Sequence, residues 1–322
     1  MKHYQLADMS VSRIALGCMT LGGSWDRSPL DEKLIPRARA IVETALELGI
    51  NFFDHANIYC AGKSEEIFGR VLADSPSLRD KMILQTKCGI RFRGDPSPSD
   101  PPRFDFSYEN ITQSAEASLK RLGIDRLDIL LLHRPDPLVE PAEVARAFDQ
   151  LHQSGKVRAF GVSNHTPGQI ELLRRTVRQP LVVNQLELNL LHNQMIDIGI
   201  MANQDRATYT SSDCILVYCR LYIIMVQAWA PTGHGRLAHP PVDGTDRERR
   251  IGAAVAKLAE AKHTSPDAIV TGWLLRHPAG ILPVIGTANP VHLRANAEAD
   301  GIELSREEWW TLLAEARGGS VP

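Results

Sequence analysis

Leu127-Asp128-Ile129-Leu130-Leu131-Leu132-His133, a helical stripe of Val144, Phe148 and Leu151 stopped by Gly155, and then Val157-Arg158-Ala159-Phe160-Gly161-Val162-Ser163 form the stretch that decides the fold of this chain. Both flanking runs are apolar almost throughout, which suits strands buried on both faces, as parallel strands are. The stripe between them carries a helical period, so the stretch reads as a β-α-β unit. The same two textures alternate outward in both directions. Further apolar, β-branched runs lie at 14–19, 50–54, 82–87, 181–186, 223–229 and 281–285. Helical stripes separate several of them. Ala38, Ile41, Val42, Ala45 and Leu46 are stopped by Gly49, while Ile111, Ala115, Leu119 and Leu122 are opened by Ser107 and closed by Gly123. Ile251, Val255, Leu258 and Ala259 form another, and Ser265-Pro266 reads as an N-cap with an N1 proline opening a helix over 267–277. Eight strands with helical material between them predict an α/β fold, a TIM (β/α)8 barrel in a single domain over residues 1–322. An open doubly wound sheet is the rival. The Pro- and Ser-rich stretch 94–102 reads as a loop after the third strand, and no internal repeat is visible.

Composition narrows the function. Lys and Arg number 36 against 38 Asp and Glu, a net charge of −2, which lacks the positive surplus of a nucleic-acid binder. Hydrophobic content of 43% is that of a folded globular chain. The start, Met1-Lys2-His3-Tyr4-Gln5-Leu6-Ala7-Asp8, has no apolar core for a signal peptide. The apolar tract 215–230 is broken by Arg220 and Gln227 and falls short of the ~20 residues that span a bilayer. Cys18, Cys60, Cys88, Cys214 and Cys219 are odd in number, with no CxxC pair. They read as free thiols of a cytoplasmic protein without a zinc site. A membrane or nucleic-acid partner is not expected, and the oligomeric state is open.

The C-terminal ends of the expected strands are chemically useful: Asp54, Lys87, His133, Ser163 with Asn164, Gln185, Trp229, and Gly286 with Thr287. In a barrel these ends share one face, the face where catalytic groups collect. Tyr59 follows Asp54 closely enough to sit on the loop above it. A carboxylate, a lysine and a phenol at one mouth suggest a proton donor tuned by a cation, the ammonium drawing the phenol down from a pKa of about 10. His133 is placed to hydrogen-bond a substrate oxygen.

Asp54-His55-Ala56-Asn57-Ile58-Tyr59 with Ser64-Glu65 and Gly69 resembles the first signature of the aldo-keto reductase superfamily. The remaining motifs are similar in order: Gln85-Thr86-Lys87, then Leu130-Leu131-Leu132-His133-Arg134-Pro135-Asp136, then Gly155-Lys156-Val157-Arg158 with Gly161-Val162-Ser163-Asn164. Asn184-Gln185 and Gln227-Ala228-Trp229-Ala230-Pro231 complete the set. The His-Arg-Pro-Asp form resembles a bacterial oxidoreductase branch. The resemblance implies a barrel reductase of small aldehydes or ketones using NADP(H), with NAD(H) as the second candidate. Tyr59 would protonate the carbonyl oxygen, Lys87 and Asp54 would tune it, and His133 would orient the substrate. Ser163, Asn164 and Gln185 would hold the nicotinamide carboxamide with Trp229 stacked on the ring. Ala230, Thr232, Gly233, Gly235 and Arg236 after strand seven, and Gly286, Thr287, Asn289, His292 and Asn296 around strand eight, complete the implied cofactor set.

Gly233-His234-Gly235-Arg236-Leu237-Ala238 fits the G-x-G-x-x-A dinucleotide fingerprint, but His239-Pro240-Pro241 follows where a helix should open. A Rossmann turn is therefore rejected; in a barrel the glycines would let backbone N–H groups approach the pyrophosphate. Cys60 stands where the family usually has glycine, Ala230 where serine is common, and Gly286 and His292 where basic residues often bind the 2′-phosphate. NADPH is accordingly expected to be preferred by a reduced margin. The stretch 195–220 departs from the family pattern. Trp25 and Phe92 are expected as apolar walls of the substrate pocket. The alternative function is a cofactor-binding redox-sensing or scaffold subunit with little turnover, and a barrel isomerase or lyase without nicotinamide is a third.

Overall fold

The computed structural model describes residues 1–201 and 214–319. Part of the stretch 195–220 thus lies outside the described residues. The chain opens with an antiparallel hairpin, β1 (His3–Leu6) and β2 (Met9–Ser12), and then enters the barrel with β3 (Ala15–Gly17). The barrel continues through β4 (Phe52–Asp54) and β5 (Ile83–Cys88). A small ribbon of β6 (Ile90–Arg91) and β7 (Arg103–Phe104) intervenes. β8 (Leu127–Leu132), β9 (Val157–Ser163), β10 (Leu181–Glu187), β11 (Met225–Trp229) and β12 (Leu282–Ile285) follow. All eight barrel strands pair in parallel, and β12 closes on β3 through Val284 opposite Ala15. Closure disposes of the open-sheet rival.

The helices are α1 (Ile35–Glu47), α2 (Lys63–Asp74), α3 (Tyr108–Leu122), α4 (Pro141–Gln153), α5 (Pro167–Arg174), α6 (Gln194–Ile200), α7 (Ile215–Leu221), α8 (Asp246–Ala261), α9 (Pro266–Leu275), α10 (Pro290–Ala297) and α11 (Arg306–Arg317). Local chemistry sets their ends. The Ser107 hydroxyl caps α3, and Gly123 at φ 65° ends it in the left-handed region that favours glycine. Thr245 and Glu248 form a capping box on α8, and Ser265 caps α9. None of the helices among the described residues is long and apolar enough to cross a membrane.

Strand pleating splits the core in two. Outward side chains such as Leu16, Phe53, Leu84, Leu130, Phe160 and Val162 pack under the helices. Inward ones, among them Phe52, Ile129, Leu131, Val183 and Leu282, pack with Leu6, Met9 and Val11 of the hairpin. The hairpin therefore stoppers the N-terminal end of the barrel. Neither this stopper nor the β6–β7 ribbon that frames the loop 94–102 was expected from the residue pattern.

Candidate active site

The catalytic-type residues expected at the strand ends meet in the structure. In register, Gly17 of β3 stands beside Asp54 of β4, and Asp54 beside Gln85 of β5. Lys87, two residues beyond Gln85, therefore points to the same side of its strand. It is completely buried. Its Nζ donates to Asp54 Oδ2 at 2.7 Å, to the His55 carbonyl at 2.8 Å and to the Tyr59 hydroxyl oxygen at 2.9 Å. All three ammonium donors are thus used, which is what a buried lysine requires. Burial alone would lower its pKa; the Asp54 and Tyr59 charges and hydrogen bonds outweigh that and raise it.

Asp54 is 2% exposed, and its second oxygen is held from below. Gln85 Nε2 donates to Oδ1 at 2.6 Å and Gln185 Nε2 at 3.0 Å. Both amides also donate to Gln227 Oε1, at 2.8 and 2.9 Å, and Gln227 Nε2 returns a bond to Gln85 Oε1 at 3.0 Å. Three glutamines from β5, β10 and β11 thus form a closed polar layer across the barrel under the carboxylate. The structure assigns Gln185 first to this layer, with its amide nitrogen already engaged. Gln85 and Gln227 stand in motifs that carry the family resemblance, but the sequence assigned them no role. They are polar residues inside apolar strands, and an inward amide that finds partners only in other amides is the signal that marks them.

His133 follows β8, its ring 6.0 Å from that of Tyr59 and nearly perpendicular to it. Burial first, then the charges of Lys87 and Arg134, pushes its pKa well below the ordinary value, so the imidazole is neutral. Asn164 follows β9 at φ 61° and turns its amide back: Nδ2 donates to the Ser163 hydroxyl at 2.8 Å and the His133 carbonyl at 3.3 Å. Its Oδ1 accepts from Trp229 Nε1 at 3.1 Å, fixing the indole. The Ser163 hydroxyl donates to the Gln185 carbonyl at 2.8 Å.

These side chains surround one cavity of about 400 Å³, with Lys87 beneath it. Ser163, Asn164, Gln185, Trp229, Ala230, Thr232 and Gly286 line it along with Asp54, Tyr59 and His133. So do Arg134 and His234, which the sequence reading did not assign to it. The Arg134 guanidinium stands 5.7 Å over the Trp229 ring and has no carboxylate partner among the described residues. Trp25 forms part of the wall as expected, while Phe92 lines a neighbouring cavity instead.

The rest of the implied cofactor set lies off this cavity. Gly233 and Gly235 belong to successive tight turns whose N–H groups bond to the Ala230 and Thr232 carbonyls at 3.0 and 3.1 Å. Those donors are therefore occupied within the loop. Arg236 is engaged by Glu248 of α8. No helix follows these glycines until Asp246, as the prolines require. Thr287 and Asn289 organise the start of α10, where Asn289 Oδ1 accepts from Val291 N at 3.0 Å, and His292 is exposed on the first turn. Asn296 is 2% exposed, with its amide bonded to Thr271, Asp267 and the His292 carbonyl. It is a strut between α9 and α10, with no face open to a ligand.

Comparison with known proteins agrees with this architecture. A model of the Aldo/keto reductase family matches residues 13–314. Among curated relatives, the 6-dehydroglucose reductase of Agrobacterium fabrum is 36% identical over 323 residues, covering all of both chains. The uncharacterized oxidoreductase YcsN of Bacillus subtilis is 34% identical, again over the whole of both. Among solved structures, a glycerol dehydrogenase from Gluconobacter oxydans superposes with a TM-score of 0.80 at 28% identity, covering 100% of this chain and 98% of that one. The closed barrel and the polar mouth define a family of nicotinamide-dependent oxidoreductases. This chain belongs to the aldo/keto reductase family, and with it to the NAD(P)H-dependent enzymes that interconvert carbonyls and alcohols.

Proposed function

We propose that this enzyme reduces a small, hydroxylated aldehyde or ketone with NADPH, and that Tyr59 is the proton donor. The observation that carries the reading is the Lys87 ammonium bound at once to Asp54, the His55 carbonyl and Tyr59. Because the Tyr59 oxygen accepts from Lys87, its own hydrogen is directed elsewhere, toward the cavity. A carbonyl oxygen placed there receives that proton, and the phenolate left behind is stabilised by the adjacent ammonium. Asp54 keeps Lys87 charged and fixed through a bond that the glutamine layer orients. Neutral His133 has one N–H to give, and it serves as a donor to the same oxygen.

The cavity fits a nicotinamide. The indole of Trp229 is locked by Asn164, and polar groups of Ser163, Asn164 and Gln185 lie beside it. When bound, the nicotinamide supplies the hydride. Thr232, Gly286, Thr287 and Asn289 are the residues that would face its phosphates, with the start of α10 favouring negative charge. With glycine at 286 and histidine at 292, NADPH is preferred over NADH by less than with two basic residues there. Arg134, a cation without a carboxylate partner among the described residues, supports a substrate rich in hydroxyl or other oxygen acceptors. The names of the two relatives, a 6-dehydroglucose reductase and a glycerol dehydrogenase, point the same way.

The test is Tyr59→Phe, which removes the proton donor and leaves the ring. Carbonyl reduction should fall by roughly three orders of magnitude or more while NADPH affinity, measured by fluorescence titration, stays within about twofold. Retention of a tenth of wild-type turnover would remove Tyr59 from the role.

A further inference from the structure

The segment joining Tyr59 to α2 is unusual. Cys60, Ala61 and Gly62 have φ of 50°, 57° and 94°, three consecutive residues in the left-handed region, only the last of them glycine. Such a turn is costly for residues with a Cβ and persists only where its surroundings fix it. The surroundings here are the loop 19–28. Cys60 Sγ lies 3.2 Å from the Met19 carbonyl and 3.3 Å from the Gly23 carbonyl. Ser64 Oγ donates to the Met19 carbonyl at 2.9 Å and accepts from Gly22 N at 3.2 Å. The backbones press together so closely that a Cβ at Gly22 would come within 2.6 Å of Ser64 N.

The far end of the loop is held by Lys63. This lysine is 5% exposed. Its Nζ donates to Ser24 Oγ at 2.9 Å, Asp26 Oδ1 at 2.9 Å and Ser28 Oγ at 3.3 Å. Asp26 Oδ1 also accepts from Ser24 Oγ at 3.1 Å and Ser28 N at 3.0 Å, knotting the loop around the ammonium. Between these ties stands Trp25, its ring edge-on to Tyr59 at 6.3 Å and forming part of the cavity wall. The indole is half exposed, so little else holds it in place.

From these ties we infer that Lys63 is a positioning residue: by clamping the loop 19–28 onto the left-handed turn after Tyr59, it sets Trp25 as a fixed wall of the substrate site. It acts through Trp25 on the carbonyl compound and touches neither substrate nor reacting atoms. The inference rests on the proposed role of Tyr59 only where activity is the readout.

The test has two arms. In the first, trypsin cleavage of the Arg27–Ser28 bond is followed by mass spectrometry in wild type, Lys63→Met and Asp26→Asn. Both variants should be cut roughly tenfold faster than wild type, with Lys63→Arg close to wild type. In the second arm, Lys63→Met should raise KM for the carbonyl about tenfold with kcat within about threefold, and should add nothing further in a Trp25→Ala background. Should Lys63→Met fail to fold, Asp26→Asn, whose side chain is exposed, takes its place in both arms. Unchanged cleavage, or KM effects of Lys63 and Trp25 substitutions that simply multiply, would overturn the assignment. A wild type that reduces no carbonyl would remove the reading of Tyr59 and leave the cleavage arm to decide the clamp.

Discussion

In the proposed role of proton donor, Tyr59 has to keep its proton in the resting enzyme and release it when a carbonyl arrives. Burial raises its pKa above the ordinary phenol value; the Lys87 ammonium works against that, and the Asp54 charge adds to the rise. The net direction is upward, which corrects the expectation from sequence that Lys87 draws the phenol toward neutrality. A neighbouring charge is visible in a motif, whereas the desolvation that outweighs it is a property of the closed cavity. With Tyr59 as the proposed donor, reduction needs the protonated phenol, so kcat/KM for the carbonyl should stay level from about pH 6 to 9 and fall only as pH climbs past about 10. His133 should contribute no inflection near pH 6.5, because it is neutral throughout that range. A pH–rate profile with a basic limb centred near 7 would contradict both statements. Asp54, Lys87 and His133 were legible because each stands where an apolar strand ends at a βα junction, and Tyr59 because it follows Asp54 closely. Arg134 and the amides of Gln85 and Gln227 were not, since their direction depends on the pleat and on what lies across the barrel.

Helix α2 illustrates what patterning reveals and what it hides. Its buried Glu65 accepts from Thr86 of β5 at 2.6 Å and from Arg121 Nε of α3 at 2.8 Å, tying together three elements next to the turn that follows Tyr59. Gly69 lets α2 approach the end of α3: a Cβ there would sit 2.2 Å from the Arg121 carbonyl oxygen. Backbone cannot swing aside as a side chain does, so Gly69→Ala should cost about 3 kcal/mol, the upper end of ordinary overpacking. Urea unfolding measures this directly, and a loss under about 1 kcal/mol would show that the helices slide apart freely. Strands such as β9 could be read because a run that is apolar up to Ser163 but for one residue, Arg158, has one sensible use. The hairpin could not: β1 buries one residue of four, and its partner β2 is equally short. Such segments acquire meaning only once there is a barrel end for Leu6, Met9 and Val11 to fill.

At the scale of the molecule, the two ends of the chain are fastened at Asp300, in the turn between α10 and α11. Its carboxylate accepts from Lys2 N at 3.0 and 3.1 Å and from Arg13 Nε at 2.5 Å, and Arg13 Nη2 donates to its carbonyl at 2.7 Å. Burial raises the carboxyl pKa, but the bonds from Lys2 and Arg13 outweigh it and the net shift is downward. A pKa lower in the folded state than in the unfolded one gives stability that is present above about pH 4 and lost as pH falls through the folded value. Asp300→Asn should therefore melt below wild type at pH 7, with the gap narrowing as the solution is acidified below about 4. A gap that widened on acidification would place the effect elsewhere. The stopper that Asp300 helps seat makes the barrel a vessel with a single mouth. Beneath Asp54, among the described residues, lie the three amides and then an apolar filling of Phe52, Ile129, Leu131, Val183 and Leu282 over Leu6, Met9 and Val11, with no acid or base to ferry a proton. On the proposed reading of Tyr59, whatever proton it gives up must come back by the route the substrate used to enter. Recharging such an acid and discharging the alcohol would then be traffic through one doorway, and the catalyst would not be reset until its product had moved out of the way.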